Sequence, residues 1–511
     1  MNIKQAKQEI TNTLRAYLTR DELGNYLIPT VRQRPVLLMG PPGIGKTQIM
    51  EQIAAETDVG LVAYTITHHT RQSAMGLPFI EKRSYGGQEF PVTEYTMSEI
   101  LGSVYELMEK TGKKEGILFL DEINCVSETL SPMMLQFLQC KTFGNQRLPE
   151  GWLIVAAGNP AEYNRSVREF DVVTLDRVKR IDVAEDFGVW KEYALRNGLH
   201  GAVVSYLDIR KEDFYRVETT VDGMQFVTAR GWEDLSEMIY AYEKLGLKVD
   251  RDVVGQYLQL PRIAKDFANY LELYYKYQKT YHVEAVLQGT WEKITASELR
   301  AAPFDEKLSV MGLILSRLHE SARETRRQDE LTTALHGTLK AFKEKLESGA
   351  PAVYVLEKLA AQRRETLKLS GEAGHLSKEA RNLGQREINA LEDYRTRLLA
   401  EDVTSGDQAM DLIRAWFGAE VEKRQTLGDE TARFFDNAFR FLEETFGQGQ
   451  ELVIFVTEIT AGYDTSWFVE EFGCEAYFRH NRELLFDDTR HRIRDEIAAA
   501  RAAERGGPTH E

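Results

Sequence analysis

The chain has 511 residues, 43% of them apolar, and a formal net charge of −16. This length predicts two to four domains with sizeable cores, and the acidic balance argues against a nucleic-acid-binding protein, which usually carries a basic surface. The three cysteines lack metal-ligand spacing, and no apolar run approaches the length of a membrane span. We therefore expect a cytoplasmic protein with reduced thiols and no membrane-spanning segment.

The first third of the chain alternates short apolar runs with helical patterns. Apolar residues at helical spacing predict a helix over residues 2–18. Four apolar runs predict strands at 36–39, 61–65, 117–120 and 153–157, and residues 179–183 are a fifth candidate strand. This alternation is typical of the α/β class, in which helices flank a parallel sheet. An insertion at 73–95 has two extended stretches around a glycine turn, which predict a β-hairpin.

A glycine-rich segment, GPPGIGKT, connects the first predicted strand to a predicted helix. Strand, loop and helix in this order are the context of a phosphate-binding loop, in which glycines let backbone N–H groups turn toward phosphate oxygens. Lys46 would reach the β- and γ-phosphates, and the hydroxyl of Thr47 would bind Mg²⁺. The predicted nucleotide-binding residues of this segment are Gly40, Pro41, Pro42, Gly43, Ile44, Gly45, Lys46, Thr47 and Gln48. Such a loop binds phosphates and not the base, so both ATP and GTP fit.

Two later strand ends supply the remaining chemistry. Asp121 and Glu122 follow the apolar run at 117–120, and the carboxyl ends of parallel strands are where α/β sheets bind ligands. Asp121 would complete the Mg²⁺ site, while Glu122 would polarise the attacking water. Asn159 follows the run at 153–157 and would hydrogen-bond the γ-phosphate or that water. Together these residues predict Mg²⁺-dependent ATP hydrolysis.

Several arginines are candidates for stabilising the transition state. Arg177 lies just before the last predicted strand, and from there it would point into the nucleotide site of a neighbouring subunit, as arginine fingers do. Arg165, Arg168 and Arg180 compete for the same role. Arg230 begins a predicted helix farther along the chain and would reach the nucleotide of its own subunit.

The rest of the chain is predicted to be mostly helical. Residues 184–285 have helical patterns, and residues 305–447, which are rich in Glu, Lys, Arg, Leu and Ala, predict long helices with charged faces. The apolar run at 451–456 predicts one late strand. The last residues, 506–511, predict a disordered tail.

In this order the motifs resemble those of AAA+ ATPases, and among them the MoxR branch. GPPGIGKT resembles the Walker A motif of the family, and LDEIN at 120–124 resembles its Walker B motif. Residues 158–160 resemble sensor 1, residues 175–177 the arginine-finger segment and residues 229–232 sensor 2. The resemblance covers roughly residues 20–285. Cys125 stands where the branch usually has Arg, and residues 163–170 differ from the commoner form. The choice between Arg177 and Arg168 as the finger therefore stays open.

The sequence predicts four parts, of which the resemblance implies the first two and the residue patterns the last two. They are a P-loop αβα core at 1–183 that includes the N-terminal helix and the 73–95 insert, a helical lid at 184–285, a long-helix accessory region at 286–450, and a small C-terminal α/β element with a tail at 451–511. The insert is similar to the helix-2 insert of this clade, whose loops approach the central pore. The two C-terminal parts match no accessory domain of the family, so no role is carried over to them.

The resemblance also implies an ATP-dependent ring, usually a hexamer, that remodels or activates partner proteins together with a von Willebrand factor A domain protein. A different interpretation is a nucleotide-gated scaffold, in which ATP binding fixes assembly, the C-terminal helices recruit partners and hydrolysis is incidental. A third is a motor subunit of a chelatase-like or nucleic-acid-linked complex. A salt-dependent affinity for DNA or RNA would support that third interpretation.

Overall fold

The computed structural model describes residues 1–68, 70–163, 167, 170–220, 223–372, 378–401, 403 and 405–482. The chain divides into two compact units. The first unit comprises residues 1–189, 228–230 and 337–411, and the second comprises 190–227, 231–336 and the residues from 412 onward. The four functional parts expected from the sequence stay a prediction. Arg165, Arg168, His69 and the tail at 506–511 lie outside the described residues.

The strands form one large sheet and three small hairpins. They are β1 (Val36–Met39), β2 (Gly60–Thr65), β3 (Pro78–Tyr85), β4 (Gln88–Tyr95), β5 (Gly116–Asp121), β6 (Thr142–Phe143), β7 (Gln146–Arg147), β8 (Trp152–Gly158), β9 (Lys179–Asp182), β10 (Arg216–Thr220) and β11 (Gly223–Val227). The large sheet has five parallel strands in the order β2-β5-β8-β1-β9. Its strands agree with the predicted ones to within one residue at each end, so the predicted α/β class is confirmed.

Helices make up most of the remaining chain. They are α1 (Ile3–Leu18), α2 (Lys46–Thr57), α3 (Arg71–Met75), α4 (Glu99–Thr111), α5 (Ser131–Cys140), α6 (Val172–Leu175), α7 (Phe187–Asn197), α8 (Gly201–Ile209), α9 (Ala229–Leu245), α10 (Arg251–Tyr257), α11 (Pro261–Thr280), α12 (Val283–Leu287), α13 (Lys293–Ala301), α14 (Phe304–Glu347), α15 (Ala352–Glu372), α16 (Lys378–Ala400), α17 (Gly406–Phe446), α18 (Gln450–Ala461) and α19 (Tyr463–Phe472). Short 3₁₀ turns occupy Thr30–Arg32, Ile66–His68 and Lys211–Asp213. None of the described helices is both long and apolar enough to cross a membrane.

The three inner strands of the large sheet, β5, β8 and β1, are buried on both faces, which explains why they are almost uninterrupted apolar runs. Leu118 and Ile154 pack into one core together with residues of α4 and α5. Ile117 and Phe119 point to the opposite face, where they pack with residues of α1 and α2. Every residue of β8, at the centre of the sheet, is buried. This rigid centre holds the strand ends that carry the polar residues.

The N-terminal helix covers one of these faces. Asn2 caps α1: its side chain accepts a hydrogen bond from the backbone N–H of Gln5 at 2.9 Å, and the Gln5 side chain accepts one from the backbone N–H of Asn2 at 3.1 Å. Ile10 and Leu14 then lie four residues apart on one side of the helix and are fully buried against the sheet. The predicted helix at 2–18 is confirmed.

The predicted hairpin in the 73–95 insertion is also confirmed, since β3 and β4 pair in antiparallel register from Pro78↔Tyr95 to Tyr85↔Gln88. Gly86 and Gly87 form the turn, and both have positive φ. This conformation strains residues with a Cβ and favours glycine. Every residue of β3 is exposed.

Two features of the C-terminal two-thirds differ from the predictions. The predicted strand at 451–456 is wrong, because these residues lie in α18, where Leu452, Phe455, Val456 and Ile459 are buried at helical spacing. The apolar run was too short to distinguish a strand from the buried side of a helix. The second difference is a hairpin of β10 and β11 within the region expected to be helical. The long helices predicted for 305–447 are confirmed as α14 to α17.

The second unit contains an unusual buried histidine, His319 on α14. Its Nδ1 atom has no hydrogen-bond partner among the described residues, and only 5% of the residue is exposed. Burial lowers the pKa of His319 from 6.5 to about 4; the carboxylate of Asp464 opposes this shift, while Arg323 and Lys191 add to it. The imidazole is therefore neutral in the folded protein near pH 7.

This histidine predicts a loss of stability in mild acid. As the pH falls below 6.5, the unfolded chain takes up a proton on His319 that the folded chain, with its pKa near 4, does not. We expect the free energy of unfolding to fall by about 2 kcal/mol more between pH 7.5 and pH 5 in the native protein than in His319→Gln. Urea unfolding of both proteins at the two pH values measures the difference. An equal pH dependence in the two would contradict the prediction.

Candidate nucleotide site

The loop between β1 and α2 turns sharply through glycines. Gly43 has a φ of 76°, and Gly45, the residue before α2, has a φ of 89°; this backbone region strains residues with a Cβ. A Cβ at Gly40 would lie 2.8 Å from the carbonyl oxygen of Val183, so the loop passes too close to the chain after β9 for a side chain. The first N–H groups of α2 lack intrahelical acceptors. The loop therefore has the space and the donors that a phosphate requires.

Lys46, the first residue of α2, lies inside this loop and is only 8% exposed. Its Nζ atom donates to the carbonyl oxygens of Gly40 and Pro41 and to Oδ1 of Asn159, each at 2.8 Å. Burial lowers the pKa of Lys46 to about 8; the charge of Asp121 opposes the shift and that of Arg230 adds to it. A phosphate bound here would stabilise the ammonium form and compete for its three hydrogen bonds.

Two hard oxygen ligands adjoin the loop. Asp121 ends β5, and its Oδ2 atom accepts a hydrogen bond from Oγ1 of Thr47 at 3.2 Å. The other carboxylate oxygen, Oδ1, accepts a hydrogen bond from the backbone N–H of Glu122 at 2.9 Å. Hydroxyl and carboxylate oxygens next to a phosphate site are the ligands that Mg²⁺ uses in such proteins. The residues therefore fit the predicted magnesium site.

Glu122 lies beside Asp121 in a strained backbone conformation, with a φ of 57°. Its Oε2 atom accepts a hydrogen bond from Oγ1 of Thr67 at 2.9 Å. Thr67 lies in the 3₁₀ turn after β2, the strand that pairs with β5. Thr67 is not among the predicted site residues, although its position just after the predicted strand at 61–65 is a signal for such a role.

Asn159 follows β8 and places its amide oxygen on Lys46. Its backbone is held by Asn124, which lies after β5: the Nδ2 atom of Asn124 donates to the carbonyl oxygen of Asn159 at 2.8 Å. The sequence analysis included Asn124 in a motif but assigned it no role. The structure thus brings together Lys46, Thr47, Asp121 and Asn159 at the carboxyl edge of adjacent strands.

Arg230 also reaches this site. Residues 228–230 belong to the first unit, and a Cβ on Gly43 would lie 3.4 Å from the Cβ atoms of Thr228 and Arg230. Because the charge of Arg230 lowers the pKa of Lys46, its guanidinium adds positive potential where phosphates would bind. This location agrees with a role in binding the nucleotide of the same subunit.

Two other candidate arginines, Arg177 and Arg180, contact residues outside this cluster. Arg177 is exposed, and its Nη1 atom donates to Oε1 of Gln139 on α5. Arg180 is also exposed and pairs with Asp182 at 2.8 Å. Arg168 lies outside the described residues, so the choice between Arg177 and Arg168 is still a prediction.

Comparison with known proteins supports the interpretation of this site as a nucleotide site. Residues 36–175 match the model of the AAA family, described as the ATPase family associated with various cellular activities. That segment runs from the first residue of β1 to the last residue of α6 and includes the loop, Asp121, Glu122 and Asn159. No match is found among curated protein sequences.

Among solved structures, the chain matches a RuvB variant from Thermotoga maritima with 14% sequence identity and a TM-score of 0.30. The match covers 50% of this chain and 69% of that one. At this level of similarity the match adds nothing to the family assignment, which depends on the family model and on the parallel sheet with its phosphate loop.

Proposed function

We propose that this chain is an Mg²⁺-dependent ATPase that acts mechanically on partner proteins, because residues 36–175 match the model of the AAA ATPase family. The observation that carries the proposal is the convergence of Lys46, Thr47, Asp121, Glu122 and Asn159 within one subunit. Phosphoryl transfer needs phosphate donors, a metal site and a group that orients water. Each of these requirements has a candidate residue here.

The roles follow from the chemistry of each group. The backbone N–H groups of the loop and the ammonium of Lys46 would hold the phosphates, and Arg230 would add charge from the start of α9. Thr47 and Asp121 would hold Mg²⁺, which neutralises phosphate charge when bound. The carboxylate of Glu122 would orient the attacking water and accept its proton, while the amide of Asn159 would hydrogen-bond the γ-phosphate without adding charge. GTP is the alternative substrate, because this loop would also fit its phosphates.

We further propose that subunits assemble into a ring, most simply a hexamer, as the MoxR-like motifs suggest. The exposure of Arg177 on the surface of its own subunit supports a role toward a neighbouring subunit. Arg168 is the alternative finger.

Partner proteins would contact the β3–β4 hairpin. Phe79, Ile80, Tyr85 and Phe90 are large apolar side chains exposed on this hairpin, and clustered exposed apolar groups mark interaction surfaces. A chaperone-like role and a von Willebrand factor A domain partner belong to the proposal through the family resemblance alone, and a cytoplasmic location belongs to it through the composition of the chain. The scaffold function remains the second candidate, favoured by the long charged helices α14 to α17.

Assembly through Arg177 predicts a specific kinetic behaviour. We expect ATPase activity per subunit to rise steeply with protein concentration and then to plateau, because each site is completed by its neighbour. At the plateau, Arg177→Ala should lower kcat by about 10³-fold while leaving the Kd for ATP nearly unchanged. Steady-state turnover and fluorescent-nucleotide binding, with particle mass from light scattering, measure these quantities.

Arg20→Ala is the matched control, since Arg20 is also exposed and pairs with Glu115 at 2.9 Å, at the opposite end of β5 from Asp121. If Arg177→Ala retained full activity, Arg177 would not be the finger, and Arg168→Ala would be the next variant. Activity independent of concentration, with a monomeric mass throughout, would contradict the ring.

A further inference from the structure

Asn124 makes an unusual two-point contact with the backbone of Asn159. Its Nδ2 atom donates to the carbonyl oxygen of Asn159 at 2.8 Å, and its Oδ1 atom accepts from the backbone N–H of Asn159 at 3.3 Å. One side-chain amide thereby satisfies both the donor and the acceptor of a single residue. Asn124 is only 3% exposed, so water competes little for these hydrogen bonds.

The contact continues the pairing of two strands beyond their ends. β5 and β8 are paired up to Leu120↔Ala156, and the backbone N–H of Ile123 still donates to the carbonyl oxygen of Ala157 at 2.9 Å. After that, Pro160 has no N–H to donate. The side chain of Asn124 takes over where the main-chain pairing stops, and it fixes the peptide groups on both sides of the Asn159 Cα.

Gly158 makes room for this arrangement. A Cβ at Gly158 would lie 2.6 Å from Oδ1 and 2.8 Å from Cγ of Asn124, distances too short for non-bonded atoms. The amide of Asn124 therefore packs directly on the backbone before Asn159. A methyl group at position 158 would therefore displace the amide of Asn124 while leaving that residue in the chain.

We propose that Asn124 is a positioning residue. By holding the backbone of Asn159, it places the Asn159 side-chain amide beside the Lys46 ammonium, where a phosphate would bind. The inference rests on the proposed ATPase function. Oδ1 of Asn159 already takes one of the three hydrogen bonds of the Lys46 ammonium, so a small rotation of the Asn159 backbone would move that amide away from any phosphate held by Lys46. A misplacement of about 1 Å at a reacting centre can cost about 10²-fold in rate.

The chemistry of the contact explains why asparagine is suitable here. An aspartate would accept from the N–H of Asn159 but would set a carboxylate oxygen against its carbonyl oxygen, with no proton between them. Alanine would leave both backbone groups without a side-chain partner in a buried place. Both replacements should loosen the backbone of Asn159, whereas neither removes a group that touches the nucleotide directly.

The decisive experiment is a double-mutant cycle of Asn124→Ala and Asn159→Ala in the full-length chain. We expect each single variant to lower kcat by about 10–10²-fold, and the double variant to be no slower than Asn159→Ala, because Asn124 acts only through Asn159. Gly158→Ala, which keeps Asn124 but displaces its amide, should reproduce the effect of Asn124→Ala. Asn145→Ala is the control, since Asn145 pairs with Glu94 away from the loop.

A binding measurement keeps this inference separate from the proposed function. Asn124→Ala and Asn159→Ala should both lower the preference for ATP over ADP, by about 3–10-fold, and this ratio can be measured by competition with a fluorescent ADP without any turnover. Absence of turnover in the native chain would count against the ATPase proposal alone. An unchanged kcat and ATP/ADP ratio in Asn124→Ala, or an additive loss in the double variant, would overturn the positioning role. If Asn124→Ala did not fold, Gly158→Ala and Asn124→Asp would be judged by the same two criteria.

Discussion

Replacing Glu122 with glutamine should abolish most ATP hydrolysis while leaving ATP binding intact. Glutamine keeps the shape of the side chain and can still accept a hydrogen bond from Thr67 through its amide oxygen, but it cannot take a proton from the attacking water. Loss of a general base lowers turnover by about 10²–10⁴-fold. We therefore expect kcat to fall by at least about 10²-fold, with the Kd for ATP within about threefold of native. Single-turnover hydrolysis and equilibrium binding measure the two quantities.

Glu109→Gln is a suitable control, because Glu109 is an exposed glutamate on α4. Unchanged hydrolysis in Glu122→Gln would contradict the role of Glu122 as the base. The same variant separates the two candidate functions once a partner is known. If the variant still assembles with ATP and activates the partner fully, the chain acts as a nucleotide-gated scaffold. If activation is lost while binding persists, hydrolysis drives it.

Lys46→Met should remove nucleotide binding itself. The thioether keeps the buried volume of the lysine stem but supplies no charge and no donor to the phosphates. Hydrogen bonds from charged groups contribute about 1.5–3 kcal/mol each, so the loss of two to the phosphates should weaken ATP binding by about 10²-fold or more. Affinity for ATP in the native chain should also decrease above pH 8, because the free ammonium, with a pKa of about 8, loses its proton there.

Lys7→Met is the comparison for Lys46→Met, since Lys7 pairs with Glu56 on the surface of the same unit at 2.6 Å. Isothermal titration with ATP and Mg²⁺ between pH 7 and pH 9 tests both parts of this prediction. Native affinity in Lys46→Met would refute the phosphate loop as the binding site. An affinity that did not change with pH would mean that Lys46 is already fully protonated in the free protein throughout this pH range.

The sheet and its loop were predictable because their physical signals are local. A strand buried on both faces must be apolar along its buried length, and β1, β8 and the part of β5 before Asp121 lack charged residues. The glycines of GPPGIGKT are required by positive φ and by close backbone contact, as at Gly43 and Gly40. Parallel topology then brings the ends of neighbouring strands together. Asp121 and Asn159 could therefore be predicted to lie in one site from the sequence alone.

The remainder depended on tertiary contacts that no local pattern encodes. The stretch 453–456 (Val-Ile-Phe-Val) has high β propensity, yet it lies in α18, whose buried side extends beyond the stretch to Ile459. Thr67 and Asn124 act through partners far along the chain, Glu122 and Asn159 respectively. Hydrogen bonds of this kind become visible only when the strands are placed side by side.

The backbone of Glu122 has a consequence for directed evolution. A non-glycine residue with a φ of 57° costs on the order of 1 kcal/mol or more relative to glycine, which adopts this conformation freely. In Glu122→Gly the relief of this strain is offset by the greater chain entropy that glycine loses on folding, about 0.5–1 kcal/mol, and by the loss of the hydrogen bond from Thr67. We therefore expect the melting temperature to change little, although the carboxylate proposed to act in hydrolysis is removed. A library selected for heat resistance alone would not eliminate this change, so selections on this protein should reward turnover in every round.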